Sequence, residues 1–387
     1  MKQFNEIKAN SVSYVRVLAL AGAAALACFS ASSHADTVDD YVHTQMASKK
    51  IPGMAVAVLR DGQLVKEGVY GLASLELNVP LTADTSFSLA SMTKVFTTAA
   101  IMVLVQDGKL SLDEPVIKIL PQLPPQWAHV TVRHCLSHTS GLPDNVSDDI
   151  NLTPVAGDRD ELFKILATKP LSPAGEQAVY NQTGFTLLGM VIEKLSGVPY
   201  EQFMQERVFK PAQLQNARFG DGWAIIPGRS ELYTALDITP DHSKLLRDGQ
   251  GRPVLSKSGI QRYGSKYMPE YLKPAGQLNA SLHDLVNWEL SLAQGKLLNA
   301  GSLTEMTTPY RLKSGQPGEF GLGFLTVPFG PFQTVNYGGG AATWRFSVPE
   351  KHLTVLVLTN LQDSQPQVMA AQVAALYAPE LAEAEQH

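Results

Sequence analysis

Ser91-Met92-Thr93-Lys94 sets a hydroxyl and an amine three residues apart at the head of a run, Lys94 to Gln106 (KVFTTAAIMVLVQ), that is nearly devoid of charge. Residues three apart share a helical face, so the two side chains point the same way. A serine hydroxyl becomes a nucleophile when a neighbouring base takes its proton. Lysine serves as that base only when neutral, a state favoured by burial in an apolar run and by the positive end of a helix. The plainer reading of the pair is a serine cap followed by a solvated lysine. Two other stretches offer partners. Tyr180-Asn181-Gln182, just ahead of a helix-like run, brings a phenol able to relay a proton and an amide able to hold an amine or a carbonyl. Tyr337-Gly338-Gly339-Gly340 closes a late strand, where glycines let a ligand lie against the backbone and leave N–H groups free for an oxyanion. A β-bulge or tight turn would use the same glycines.

These groups must be carried by regular elements, and the pattern supplies them. Met54 to Arg60, the turn dipeptide Asp61-Gly62 and Gln63 to Tyr70 read as a β-hairpin. Phe320 to Val327, Thr334 to Tyr337, Trp344 to Val348 and Leu353 to Thr359 read as strands, with Pro349 to His352 the turn between the last two. Strands at both ends with helices between imply one sheet built from both termini. The predicted helices include Asp160 to Thr168, Thr183 to Ser196 ending at Gly197, Tyr200 to Val208, and Ser281 to Gln294 ending at Gly295. Phe219 to Pro274 is the least regular stretch, a form taken by segments that border a binding site and by plain surface loops.

With 387 residues, 44 % hydrophobic and 17 % charged, the chain can bury a large core. A net charge of −5 provides no basic field for nucleic acid, which leaves a small molecule or short peptide as the expected partner. Lys2, Lys8 and Arg16 precede the apolar run Val17 to Phe29, followed by Ser33-His34-Ala35, the pattern of a secretory leader over residues 1–35 cleaved near Ala35. The uncharged run is short for a membrane span. Leu26-Ala27-Cys28 offers a lipoprotein-type cleavage as the alternative. With Cys28 in the leader, Cys135 is the single thiol of the remaining chain and no internal disulfide can form. Residues 36–387 read as one domain, divided into a sheet lobe (36–100 with 275–380) and a helical lobe (101–274).

Ser91-x-x-Lys94, the tyrosine motif at Tyr180 and the late strand with its Gly-Gly resemble, in order and spacing, the serine β-lactamase and penicillin-binding-protein superfamily. The branch is that of class C β-lactamases, D-alanyl-D-alanine carboxypeptidases, D-aminopeptidases and family VIII carboxylesterases. Leu136 to Pro143 (LSHTSGLP), Pro274 to Leu278 (PAGQL) and Val355 to Asn360 (VLVLTN) carry the same likeness. The resemblance implies an α/β fold in three layers, helices on both faces of an antiparallel sheet, with a helical lobe and the nucleophile in the cleft between. It further implies an acyl-enzyme on Ser91, activation by Lys94 and Tyr180, an oxyanion hole from the N–H groups of Ser91 and Gly340, a structural His138, and no metal or cofactor. For the pair His134 and His138, packing or turn hydrogen bonds are the expected use rather than a metal.

Two positions depart from the family pattern. Gln182 stands where Tyr-x-Asn has its asparagine, one methylene longer. Tyr337 stands where β-lactamases have lysine and many peptidases histidine, cations that hold a substrate carboxylate by a charge-assisted bond. A neutral aromatic there points to uncharged esters, unless Arg345 restores the charge. Tyr267, Tyr271 and Trp344 are candidates for an acyl pocket or for ordinary packing. The expected function is an exported serine hydrolase, carboxylesterase-like, with Gln182, Tyr337, Gly338, Gly339 and Gly340 contacting substrate. A lactamase or D-peptidase, and a non-catalytic envelope binding protein, are the alternatives; oligomeric state is left open.

Overall fold

Met54 to Leu59 alternates two sets of apolar side chains, and both are buried because their strand is covered on each face. The computed structural model describes residues 32–384 apart from 148–152, 240–244, 251, 264–266 and 341. Residues 1–31 of the expected leader, Cys28 included, lie outside the described residues. From strand β1 (Gly53–Arg60), Met54, Val56 and Val58 pack with Val38 and Val42 of helix α1 (Ser32–Lys49) and with Met369, Ala370 and Val373 of a late helix. Ala55, Ala57 and Leu59 face the other way, into a core shared with Val95, Phe96 and Trp288. A strand buried on both faces needs no polar alternation, hence the unbroken MAVAVL.

The Asp61-Gly62 turn has positive φ at both residues (51° and 72°), matching a two-residue hairpin into β2 (Gln63–Ser74). The sheet continues with β3 (Val79–Pro80) and, from the far end of the chain, β4 (Leu325–Phe329), β5 (Phe332–Gly339), β6 (Thr343–Val348) and β7 (Leu353–Thr359). Its order is β3-β2-β1-β7-β6-β5-β4, every neighbour antiparallel. The two ends meet where Met54 pairs with Thr359 and Arg60 with Leu353. The three-layer α/β architecture expected from the resemblance is therefore present.

Between the sheet's two halves run α2 (Thr93–Gln106), α3 (Thr183–Ser196) and α4 (Leu282–Ala293), and α5 (Pro366–Tyr377) closes the outer face. Every residue of α2 from Thr93 to Leu104 is buried, the environment that an all-round apolar helix requires. Helix α3 stops at Gly197, whose φ of 75° is left-handed. Ser281 caps α4 by accepting the N–H of Asp284.

Some boundaries differ from the sequence reading. The strand predicted from Phe320 begins at Leu325, because Gly321 and Gly323 bend the chain onto its neighbours. A Cβ at Gly321 would lie 2.3 Å from the Met306 carbonyl oxygen, and one at Gly323 2.3 Å from Thr98 Oγ1. The helix expected over Tyr200 to Val208 is α-helical only over Tyr200–Met204 and continues as a π-turn, Gln205–Phe209. Phe219 to Pro274 holds only two-residue strands and short turns among its described residues. Among the described residues no helix is long and apolar enough to cross a membrane.

Candidate active site

Ser91 stands on a 3-10 turn, Ala90–Met92, that leads straight into α2. Ala90 has φ 43°, a left-handed conformation that an alanine holds only when its surroundings impose it. They do so by hydrogen bonds: Leu89 N donates to Leu278 O (2.9 Å), Thr93 Oγ1 to Ala90 O (2.6 Å) and Leu278 N to Thr93 Oγ1 (3.0 Å). Ser91 is left partly exposed while its neighbours Met92, Thr93 and Lys94 are buried.

Lys94 is 2 % exposed. Its Nζ donates to the Ala275 carbonyl oxygen at 2.7 Å and to Ser91 Oγ at 3.3 Å, and it lies 4.8 Å from the ring centroid of Tyr180 and 5.5 Å from that of Phe185. Ser91, Lys94 and Tyr180, separated by up to 89 positions in the chain, thus meet in one place. Tyr180 itself is 42 % exposed.

The Tyr180 loop is held by the segment 138–144. His138 Nδ1 accepts the Asn181 N–H (3.1 Å), His138 O accepts the Val179 N–H (2.8 Å), and the Asn181 side chain donates to Leu142 O (3.0 Å). The His138 ring, at φ 57°, packs on Tyr180 (4.6 Å between centroids), Phe320 (4.7 Å) and Phe185 (5.3 Å). Burial, seconded by the charge of Lys94, pushes its imidazole down to about 3. His134 instead completes the cap at Thr131, its Nδ1 accepting the Thr131 N–H (3.2 Å). Both histidines serve packing and turn bonds, as expected. Gln182 is buried, and its backbone N–H donates to Asp144.

The glycines of β5 press on the turn that carries Ser91. A Cβ on Gly339 would sit 1.8 Å from Leu89 O and 3.2 Å from Met92 N, and one on Gly340 (φ 58°) 3.3 Å from the Ala90 side chain. Only glycine permits that approach, which brings the Gly340 backbone beside Ser91. Gly338 is required for another reason, since the Trp344 ring fills the place of its side chain (2.1 Å). A serine–lysine pair on a buried helix, a tyrosine loop and a glycine strand-end now stand in one cleft. A sequence model of the family described as Beta-lactamase matches residues 38–378. The chain belongs to the beta-lactamase family.

Two curated relatives and one solved structure fit this family assignment. The chain is 30 % identical to Esterase EstB of Burkholderia gladioli over 249 residues, covering 60 % of this chain and 59 % of the esterase. It is 27 % identical to the D-aminopeptidase of Gluconobacter oxydans (strain 621H) over 342 residues, covering 85 % of this chain and 60 % of the relative. The octameric penicillin-binding protein homologue from Pyrococcus abyssi superposes with a TM-score of 0.70 at 25 % identity, covering 89 % of this chain and 77 % of that one. The chain spans about three fifths of the length of the curated relatives it matches.

Within this beta-lactamase-family cleft, one expectation is corrected. The Tyr337 side chain is not offered to a substrate: it is 4 % exposed and its hydroxyl donates to Glu289 Oε1 (3.0 Å) on α4. Burial, with the Glu289 charge beside it, holds its phenol well above the usual tyrosine range. Arg345 is committed to the same carboxylate through Nε (2.7 Å) and a second nitrogen (2.9 Å), and donates to Val335 O (2.7 Å). The alternation of β5 and β6 turns both side chains inward, onto α4. Of the other aromatics, Tyr271 is buried and donates to Ala156 O (2.7 Å), and Trp344 packs against the core of the sheet's outer face. Tyr267 is 53 % exposed and lies against Trp223 (5.6 Å). Burial pushes the Cys135 thiol up to about 12, so it is no competing nucleophile.

Sequence reasoning missed Asp144, Phe185, Phe320 and the Ala275 carbonyl. A backbone oxygen has no residue-type signature, and nothing in the sequence sets the two phenylalanines apart from other apolar residues of a strand and a helix. Two predictions follow from the geometry. Glu289→Ala strands the buried Arg345 and lowers unfolding free energy by about 3–5 kcal/mol, read from urea denaturation, whereas Glu289→Leu with Arg345→Met costs far less. An unfolded chain takes up the His138 proton near the ordinary value of about 6.5, the folded one only near 3. Stability therefore falls as pH drops from about 6.5 towards 3, and His138→Asn, tolerant of positive φ, makes the fall in urea midpoint between pH 7 and pH 4 shallower.

Proposed function

We propose that this chain is a serine hydrolase that cleaves uncharged carboxylic esters through an acyl-enzyme on Ser91. The observation that carries the reading is the 3.3 Å contact between Lys94 Nζ and Ser91 Oγ beside the Tyr180 ring. Neutral Lys94, with Tyr180, takes the Ser91 proton as Oγ bonds to the acyl carbon, and the carbonyl oxygen gains negative charge between the N–H groups of Ser91 and Gly340. The tetrahedral adduct collapses as the C–O bond to the alcohol breaks, and the alcohol leaves with the proton. Water then repeats the sequence on the acyl-serine, releasing the acid and restoring Ser91. Gln182, from its buried place at the head of α3, holds the substrate carbonyl.

Support for an ester over an anionic substrate comes from Tyr337 and Arg345, both drawn to Glu289 and away from a substrate carboxylate. An esterase among the relatives agrees. The D-aminopeptidase relative favours amide cleavage as the second reading. The pattern Lys2, Lys8 and Arg16, the apolar run and Ser33-His34-Ala35 support export, with residues 36–387 as one catalytic domain.

A fluorophosphonate probe is expected to label the chain, and Ser91→Ala to abolish labelling; equal labelling of the variant would remove Ser91 as nucleophile. Lys94→Arg, which keeps its proton, should lower esterase kcat/KM by about 10²-fold or more. A short p-nitrophenyl ester should be turned over at least about tenfold more efficiently than nitrocefin or a D-Ala-D-Ala peptide. Comparable lactam or peptide turnover would overturn the ester preference, and no acyl adduct with any of them would favour a binding protein.

A further inference from the structure

Gln182 stands at the N-cap position of helix α3 and makes no side-chain bond to the first turn; its neighbour Asn181 accepts the N–H of Gly184 there through Oδ1 (2.8 Å). The N–H groups of Gln182 and Thr183 are met from elsewhere in the chain. Asp144 Oδ1 accepts the N–H of Gln182 at 2.8 Å and of Thr183 at 3.3 Å, besides that of Asn145 at 2.8 Å. Residues beside it reinforce the join, since Thr183 Oγ1 donates to Pro143 O (2.8 Å) and Asn181 Nδ2 to Leu142 O (3.0 Å). A carboxylate imported across 38 positions brings a charge as well as an acceptor.

We propose that Asp144 is a positioning residue of the active site, clamping the Tyr180-Asn181-Gln182 loop to the head of α3 and standing as the counter-charge to Lys94. The inference rests on the hydrolase reading above. Burial raises the Asp144 carboxyl above its usual range, while the three N–H donors and the charge of Lys94 favour its ionised form. Beside Lys94 also stand the Tyr180 phenol and the His138 imidazole, which stays neutral above about pH 3. Asp144 thus supplies negative charge that the loop and the histidine do not.

The clamp and the charge are separable. Asp144→Asn keeps an oxygen acceptor for the two N–H groups and loses the charge; Asp144→Ala loses both. Removing the charge disfavours the ammonium form of Lys94, so with a p-nitrophenyl ester the acid limb of kcat/KM moves to lower pH by about one unit in Asp144→Asn, and kcat on the alkaline side stays within about threefold. Asp144→Ala shows the same displacement and loses about tenfold or more in kcat. Asp144→Ser, a short acceptor without charge, must shift the limb the same way, which keeps the test open should the asparagine variant not fold. An acid limb that coincides with the parent's in the folded, uncharged variants overturns the counter-charge. An alanine variant with the asparagine variant's kcat overturns the clamp. Parent turnover independent of Ser91 would sink the hydrolase reading and this inference with it, whereas Ser91-dependent turnover with an unmoved limb sinks the inference alone.

Discussion

An amine taken out of water must find acceptors or cost several kcal/mol, and Lys94 is nearly sealed inside the protein. Its two acceptors are the Ala275 carbonyl and the Ser91 hydroxyl. The first holds the lysine in place and the second sets it beside the partly exposed serine. The rest of the cleft is arranged to keep this junction fixed. Helix α2 supplies an apolar sleeve, the turn at Ala90 aims the serine, and Leu278 ties that turn to the segment whose carbonyl receives the amine.

Charge elsewhere in the cleft's walls is neutralised within the protein. Glu289 binds both Tyr337 and Arg345, so the strand whose end meets the serine has its polar side chains drawn into the core. What β5 presents to the cleft is backbone, through glycines too small to obstruct it. His138 is likewise kept uncharged, so its ring packs against Tyr180 without competing for a proton at neutral pH.

The elements were legible in the sequence wherever one physical signal dominated. Leu353–Thr359 and Thr183–Ser196 fall where the apolar pattern and Gly197 place them. The strand start at Leu325 was not, because the bend depends on contacts of Gly321 and Gly323 with helices distant in sequence. In the cleft, Ser91, Lys94, Tyr180 and the glycine run could be found from residue types in order. The orientation of Tyr337 could not, since strand alternation assigns a face only once the register with β6 and the position of α4 are known. Asp144 escaped for a similar reason: nothing local marks a carboxylate whose partners are backbone N–H groups on another segment.

The pairing of β1 with β7 joins residues some three hundred positions apart, Met54 to Thr359 among them. Closing so long a loop precedes any reward from the contacts it makes, and folding slows as such non-local pairing comes to dominate. The serine turn and the glycines that flank it belong to opposite ends of this closure. A nascent or partly folded chain therefore carries the Ser91 turn without the glycine backbone that packs against it, and the cleft takes shape only when the last strands have docked.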